Sequence, residues 1–492
     1  MRLSHSKITV LKKIIFFFLI PLSLSAQNEN YSWVLSDSLL IQFYSGIPVV
    51  SHINSNFAGE APAAISKYSS LEFYLDGFDP GTPEGLYLMH LRNKFGNIVE
   101  NGDSLICFSS STQGAIFLPD EDTSKYILLQ IQSFSNYNLG IFSSFNYSVI
   151  DRIYNGGQGK VLDKNINLCN DRLSEKLQVV RHANGRDWWI LIHGAGNNNF
   201  IKFLYSQGNF SGPFYQSVGS VVDTLYFGIV GQMMFNQTGD KLVFLNSYGT
   251  LDYFDFDRCS GNLTLIEQID TSEGTSVSIP SSYYSCAFSN SGRFLYITTF
   301  PSNPRHYLYQ FDMLAIPIST SKLLIYSDSI MLPSLSQLLL APDNKIYSTN
   351  YNMSNQGVNR KLGSISFPDS LGISCGYNAS QVNLGSHKLD YGLPNIPNYR
   401  LSAIDGSPCD TLGLSINELK NTVVQIFPNP MADKIFIKSQ EKISSIVIID
   451  ILGRQVLNSI HSEIDVSLIP KGIYFISIQT NKTVITNKLI KE

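Results

Sequence analysis

Few residue clusters in this chain combine the types and spacing that chemistry requires. His193-Gly194-Ala195-Gly196 places a histidine before a small-residue turn whose backbone N–H groups would suit an oxyanion. Acyl transfer of that kind also needs a serine on a strand-to-helix elbow, G-x-S-x-G. By its neighbours the stretch reads as a hairpin turn after the apolar run WWILI. GGQGK at residues 156–160 has the look of a phosphate loop, but Tyr154 stands where the first glycine belongs and Val161 follows the lysine. It reads as a glycine turn between strands. Asp255 and Asp257 alternate in DFD, so one strand face would offer calcium two carboxylates. Their further partners are not visible, and a solvated strand end is the plainer reading. The eight histidines are scattered with no HExxH; His182 and His193 read as local hydrogen-bonding residues. Trp188 and Trp189 must face opposite ways on a strand. One belongs in a core, and the other lies against a neighbouring sheet or forms a sugar- or peptide-binding surface. No catalytic residue is assigned and no cofactor is expected, with calcium the one alternative.

These residues sit on a repeat. VRHANGRDWWI from Val180, FNQTGDKLVFL from Phe235, FSNSGRFLYIT from Phe288 and LAPDNKIYSTN from Leu340 start 55, 53 and 52 residues apart. Each begins apolar, crosses a polar turn and enters an apolar strand. Fainter copies begin at Ile65 and Phe117. Turn residues that tolerate positive φ, flanked by Val, Ile, Tyr and Phe, predict hairpins. Strands repeated at this period predict an all-β chain built on a β-propeller. Seven blades are expected, six being the alternative, with Trp33–Leu35, residues 39–43 and residues 384–401 closing the ring.

The chain has 492 residues, only 15% charged and 12% aromatic, which fits a folded, turn-rich protein of more than one domain. Arg2, Lys7, Lys12 and Lys13 precede an apolar run at 14–24 and then Ser25-Ala26-Gln27. Residues 1–26 therefore read as a signal peptide, the run being short of the ~20 residues of a membrane span. Residues 27–422 carry 23 basic against 33 acidic side chains, which argues against nucleic-acid binding. The six cysteines of an exported chain suggest disulfides. Cys259 with Cys286, Cys375 with Cys409 and, by elimination, Cys107 with Cys169 are the expected pairs, and no CxxC spacing suggests zinc.

The body, 27–409, resembles a family of exported, largely uncharacterised propeller proteins of Bacteroidetes-type bacteria. The resemblance rests on NGGQGKV, EKLQVVRHANGRDWWILIHG, FDFDRCSG, FSNSGRFLY, APDNKIY and YGLPNIPNYRL…DGSPCDTLG, in that order. It brings no catalytic residues with it.

Residues 410–422 read as a linker, and 423–492 read differently from the body. Short strands in period-two alternation, with Ile435 and Ile437, Val447 and Ile449, Ile473 and Phe475, then Ile478 facing inward, predict a small Ig-like antiparallel β-sandwich. Phe427-Pro428-Asn429-Pro430, the DILGR turn with Gly453 and Arg454, the KGIYFI strand with Gly472 and Tyr474, and Lys488 and Lys491 of the closing KLIK follow in order. By these residues the tail resembles the type A C-terminal sorting domain of the type IX secretion system. The resemblance implies a secreted or cell-surface protein, partnered in transit by the secretion machinery and commonly freed of its tail. The body then reads as a non-enzymatic binding or adhesion module for a glycan, peptide or surface protein. The alternatives are a calcium-dependent propeller hydrolase or lactonase-like enzyme and a structural part of surface motility or envelope machinery.

Overall fold

A computed structural model describes residues 29–409, apart from 45–46, 56–58, 80–87, 137–139, 225–227, 247–248, 271–281, 301–305, 328–333, 352–359 and 390–391, and residues 424–492, apart from 440–441, 451–453 and 481–483. The expected signal peptide, the linker and Gly453 lie outside the described residues. The chain divides into two compact units, Met1–Asp410 and Thr411–Glu492.

The first unit is a seven-bladed propeller. Blade 1 (32–52) has three antiparallel strands; blades 2 (63–106), 3 (115–169), 4 (173–217), 5 (233–270), 6 (282–327) and 7 (334–383) have four each. From blade 1 to blade 7 the innermost strand of each blade neighbours that of the next, and blades 7 and 1 meet through a shared side-chain cluster. Hydrophobic clusters fill every interface, including Val34, Leu40 and Tyr74 between blades 1 and 2 and Trp33, Phe43 and Tyr347 between blades 7 and 1. Both faces of a blade meet another blade, so its inner strands need apolar residues in succession rather than alternation. Trp188–Gly194 is buried at every position. Trp188 enters the core between blades 3 and 4, and Trp189 the core between blades 4 and 5.

Among the described residues of 384–401 none forms a strand of the ring, Leu389 making only an isolated bridge. Leu384, Leu389 and Leu393 do pack into the blade 7–blade 1 core, but the backbone turns inward and runs down the central channel. Gly392 admits this course because a Cβ there would stand 2.4 Å from Gly59 O. Among the described residues, ring closure therefore rests on side-chain packing and this axial plug.

The cysteine pairing differs from expectation as well. Cys259 pairs with Cys409, their Cα atoms 5.6 Å apart, while Cys107, Cys169, Cys286 and Cys375 are buried free thiols. Cys286 points into the core between blades 5 and 6 and Cys375 into that between blades 6 and 7, so neither Cys259–Cys286 nor Cys375–Cys409 forms. Cys107 and Cys169 lie in different inter-blade cores.

The second unit is a two-sheet sandwich. Val424–Phe427, Lys434–Ser439 and Glu463–Asp465 form one sheet; Gln455–Ser459, Ile443–Asp450, Gly472–Thr480 and Val484–Lys491 form the other. Ile435, Ile437 and Ile478 face the core as expected. In the other strands the opposite face is inside: Ile446 and Ile448 replace Val447 and Ile449, and Tyr474 and Ile476 replace Ile473 and Phe475. These strands are apolar on both faces, so alternation alone does not choose, and a one-residue slip exchanges the faces.

Candidate binding site

The plug decides what the propeller can offer. At one end of the channel Leu393 N–H donates to Gln337 Oε1 at 2.6 Å. Midway, Asn395 Nδ2 donates to Leu177 O at 2.9 Å while its Oδ1 accepts from Gln178 Nε2 at 2.7 Å. Further along, Asn398 Nδ2 donates to Gln237 O and Tyr399 Oη to Phe117 O, both at 2.8 Å. The chain then crosses the rim, where Arg258 Nη2 reaches Ser402 O at 2.7 Å and Ile404 N–H reaches Ala183 O at 2.9 Å, and the disulfide to Cys259 follows.

Polar side chains do line the first end of the channel, but they bond to one another. Tyr284 Oη donates to Glu60 Oε1 at 2.6 Å; Thr112 donates to Glu175 Oε2 through its backbone N–H at 2.9 Å and its hydroxyl at 2.7 Å; Gln337 Nε2 crosses to Thr112 O at 3.1 Å. Burial raises the Glu175 carboxyl to about 7 against the pull of the Thr112 bonds and Lys176.

The open space lies at the other end, where the inner strand of each blade turns into the second strand. We refer to this as the turn face. One cavity of about 270 Å³ lies over the channel mouth between the plug and blades 4 to 7, with amides of Asn236, Asn290, Asn344 and Asn398 in its wall. A second, of about 420 Å³, is built by blades 2, 3 and 4 with Glu29, Tyr399 and Arg400. Arg400 lines both. In the second cavity many charges are already matched. Arg186 pairs with Glu121 at 3.0 Å and Asp187 at 2.9 Å, Lys125 with Asp122 at 2.9 Å, and Tyr205 Oη donates to Asp120. Glu29 lies among Lys67, Arg181 and Arg400. Burial raises Glu29 to about 7 although Arg181, Arg400 and Lys67 pull it down. The Arg181 guanidinium stacks on Trp188 at 3.8 Å, and burial lowers it to about 10, still a cation at neutral pH. Its Nη1 donates to Arg186 O, and among the described residues its Nε meets no acceptor.

The motifs singled out by chemistry fall elsewhere. His193 is fully buried between Phe200 and Phe244, bonds Gly194 O at 2.7 Å and is pushed down to about 3 by desolvation and Lys176. Gly156 and Gly157 belong to a turn between blade 3 strands. Asp255 pairs with Lys241, and Asp257 accepts from Cys259 N–H at 2.8 Å and Ser260 Oγ at 2.7 Å. His182 contacts Cys259 O at 2.9 Å. Among the described residues no three His, Cys, Asp or Glu side chains are grouped to hold a metal. A G-x-S-x-G pentapeptide does exist at 372–376 (GISCG), overlooked on sequence grounds. It is a 3-10 turn in blade 7 with Ser374 exposed, not a strand-to-helix elbow. Sequence reading also missed Glu29, Lys67, Arg181 and Arg400, for which the repeated turn beside Arg181 was the available signal.

In the second unit the spaced motif residues meet. Asn429 Nδ2 donates to Lys488 O at 2.7 Å and Asn429 Oδ1 accepts from Ile490 N–H at 2.9 Å, so the FPNP turn of Phe427, Pro428, Asn429 and Pro430 is tied to the last strand. Lys491 Nζ reaches Ala432 O. Arg454 Nε bonds Asp450 Oδ2 at 2.7 Å across the DILGR turn, and Tyr474 Oη bonds Pro470 O at 2.8 Å beside Gly472.

Residues 425–492 match the family of secretion system C-terminal sorting domains. The tail is a type IX sorting domain, and the chain is an exported protein. No curated protein matches. Among solved structures, a candidate 6-phosphogluconolactonase from Bacteroides fragilis is 11% identical, covers 75% of this chain and 98% of its own, and has a TM-score of 0.45. A periplasmic gluconolactonase of Pseudomonas aeruginosa is 11% identical over 74% of this chain and 97% of its own, with a TM-score of 0.45. Among the described residues no helix is long and apolar enough to cross a membrane.

Proposed function

We propose that the protein is a secreted or surface-attached binding module, freed of its sorting tail after export, that captures a ligand on the turn face of a non-enzymatic propeller. One observation carries this reading: the chain's own residues 392–401 fill the channel, where many propellers would bind, while two cavities joined by Arg400 open on the turn face. A rigid seven-bladed ring holds those cavities on short turns, which suits preorganised recognition.

The test is binding of the full exported chain to glycan, peptide and surface-protein arrays. Thr123→Trp with Gln207→Trp, two positions lining the larger cavity, should abolish the signal. Binding that survives this double substitution sinks the turn-face assignment. A second reading, a hydrolase, has one observation in its favour: Glu60 and Glu175 both act on the Tyr284 hydroxyl, and paired carboxylates suit acid–base work. Lactone turnover lost on Glu60→Gln would establish it instead.

A further inference from the structure

The two turn-face cavities differ in chemistry, and the difference names a ligand. The smaller has asparagine amides in its wall; those of Asn236 and Asn398 are held by the protein's own turns, and those of Asn290 and Asn344 present donors and an acceptor that match the hydroxyls of a neutral sugar. The larger sets Lys67, Arg181 and Arg400 around Glu29, with Asp187 also acting on Arg181 and Glu72 on Lys67, and its lining as a whole holds one more cation than carboxyl. The Arg181 guanidinium lies over Trp188, 3.8 Å from the ring centroid, and with Nη1 bonded to Arg186 O it is fixed in the cavity wall as a cation for a carboxylate. Arg400, its guanidinium bonded to Tyr31 Oη at 3.2 Å, stands between the two spaces.

Resting on the turn-face reading above, we propose that the site takes an acidic saccharide, with a uronic-acid carboxylate set against Arg181, Lys67 and Arg400 and a neighbouring neutral sugar against the asparagine amides. Both halves need the plug, because Asn398, Tyr399 and Arg400 belong to it.

A pH signature follows. The groups facing Glu29 are Arg181 from blade 4, Lys67 from blade 2, Arg400 and Tyr399 from the plug, and Tyr126 from blade 3. Asp187 also faces Arg181, and Glu72 and Arg152 face Lys67, so protonation of Glu29 removes one of the competing carboxylates while the cations keep their charge. Binding of a uronate should therefore tighten as pH falls from about 8 to about 6.

The experiment is titration calorimetry of the full exported chain with a glucuronate–hexose disaccharide, the matching neutral disaccharide, free glucuronate and an acidic peptide. The expected result is binding of the uronate disaccharide, about tenfold or more weaker binding of the neutral one, and loss of the pH dependence in Glu29→Gln. Arg181→Gln should cost about tenfold. Because Arg181 also packs on Trp188, Lys67→Gln on the more open side serves as the second variant, with its melting temperature checked against the parent. Neutral and acidic disaccharides bound equally, with binding still lost in the Thr123→Trp, Gln207→Trp protein, would overturn the uronate proposal and leave the turn-face reading standing. Preference for the acidic peptide would also overturn it. No binding of any probe, together with silent arrays, would bring down both.

Discussion

The Cys259–Cys409 bond fixes the far end of the plug, and its removal is the sharpest test of how this ring is closed. The perturbation is Cys409→Ser in the full exported chain. The bridge spans a sequence separation of 150 residues. In the chain-entropy account a loop of that length restrains the unfolded state by about 5 kcal/mol. The propeller unit, at about 0.002 kcal/mol/K per residue, has an unfolding entropy near 0.8 kcal/mol/K, so the midpoint should fall by about 6 °C. Calorimetry of the oxidised parent, the reduced parent and the variant measures this. Limited proteolysis gives a second reading: after a cut within 402–408, the fragment that carries residue 409 should stay joined to Cys259 in the oxidised parent and be released from the variant. Peptide mapping that finds Cys259 joined to Cys286 would refute the connectivity. A midpoint unchanged within about 1 °C, with the Cys259–Cys409 bond demonstrably present in the parent, would refute the claim that the staple holds the closed ring.

Further outcomes follow from the same structure. Gly185→Ala should destabilise the body by about 1–3 kcal/mol, since Gly185 has φ +70° and a Cβ would stand 2.3 Å from Ala403 N; denaturant unfolding checks it. His193 is held neutral in the fold at about 3 against an ordinary 6.5, so the unfolded chain binds the extra proton between those values. The contribution of His193 is therefore lost as pH drops from 6.5 towards 3, opposed between about 7 and 4.5 by the raised carboxyls of Glu29 and Glu175, and His193→Gln should make stability less sensitive to acid in melting curves across pH. Asn429→Ala removes both bonds that tie the FPNP turn to the last strand; the sorting domain should lose about 1–3 kcal/mol and the secreted fraction should drop in a cell-fraction immunoblot.

The sequence by itself determined the repeating part of this protein. Hairpin turns such as ANGRD and NQTGD are local, and flanking β-branched and aromatic residues commit each strand without reference to the rest of the chain. Blade spacing, the all-β class and the ordered motifs of the sorting tail were therefore legible. The inner and outer faces of the tail strands at Ile446–Ile449 and Tyr474–Phe475 were not, because apolar residues occupy both faces and only pairing register chooses between them. Nor was the cysteine pairing, which depends on which side of a blade each thiol faces. The plug is the extreme case. Residues 392–404 carry no periodicity and their partners lie far away in sequence: Gln337, Leu177, Gln237, Phe117 and Arg258 meet them only once the ring exists. The candidate site shares that origin. Its charged wall joins Glu29, Lys67, Arg181 and Arg400, residues brought together by ring closure and by the return of the chain through the axis, and long-range packing of that kind leaves no local pattern to read.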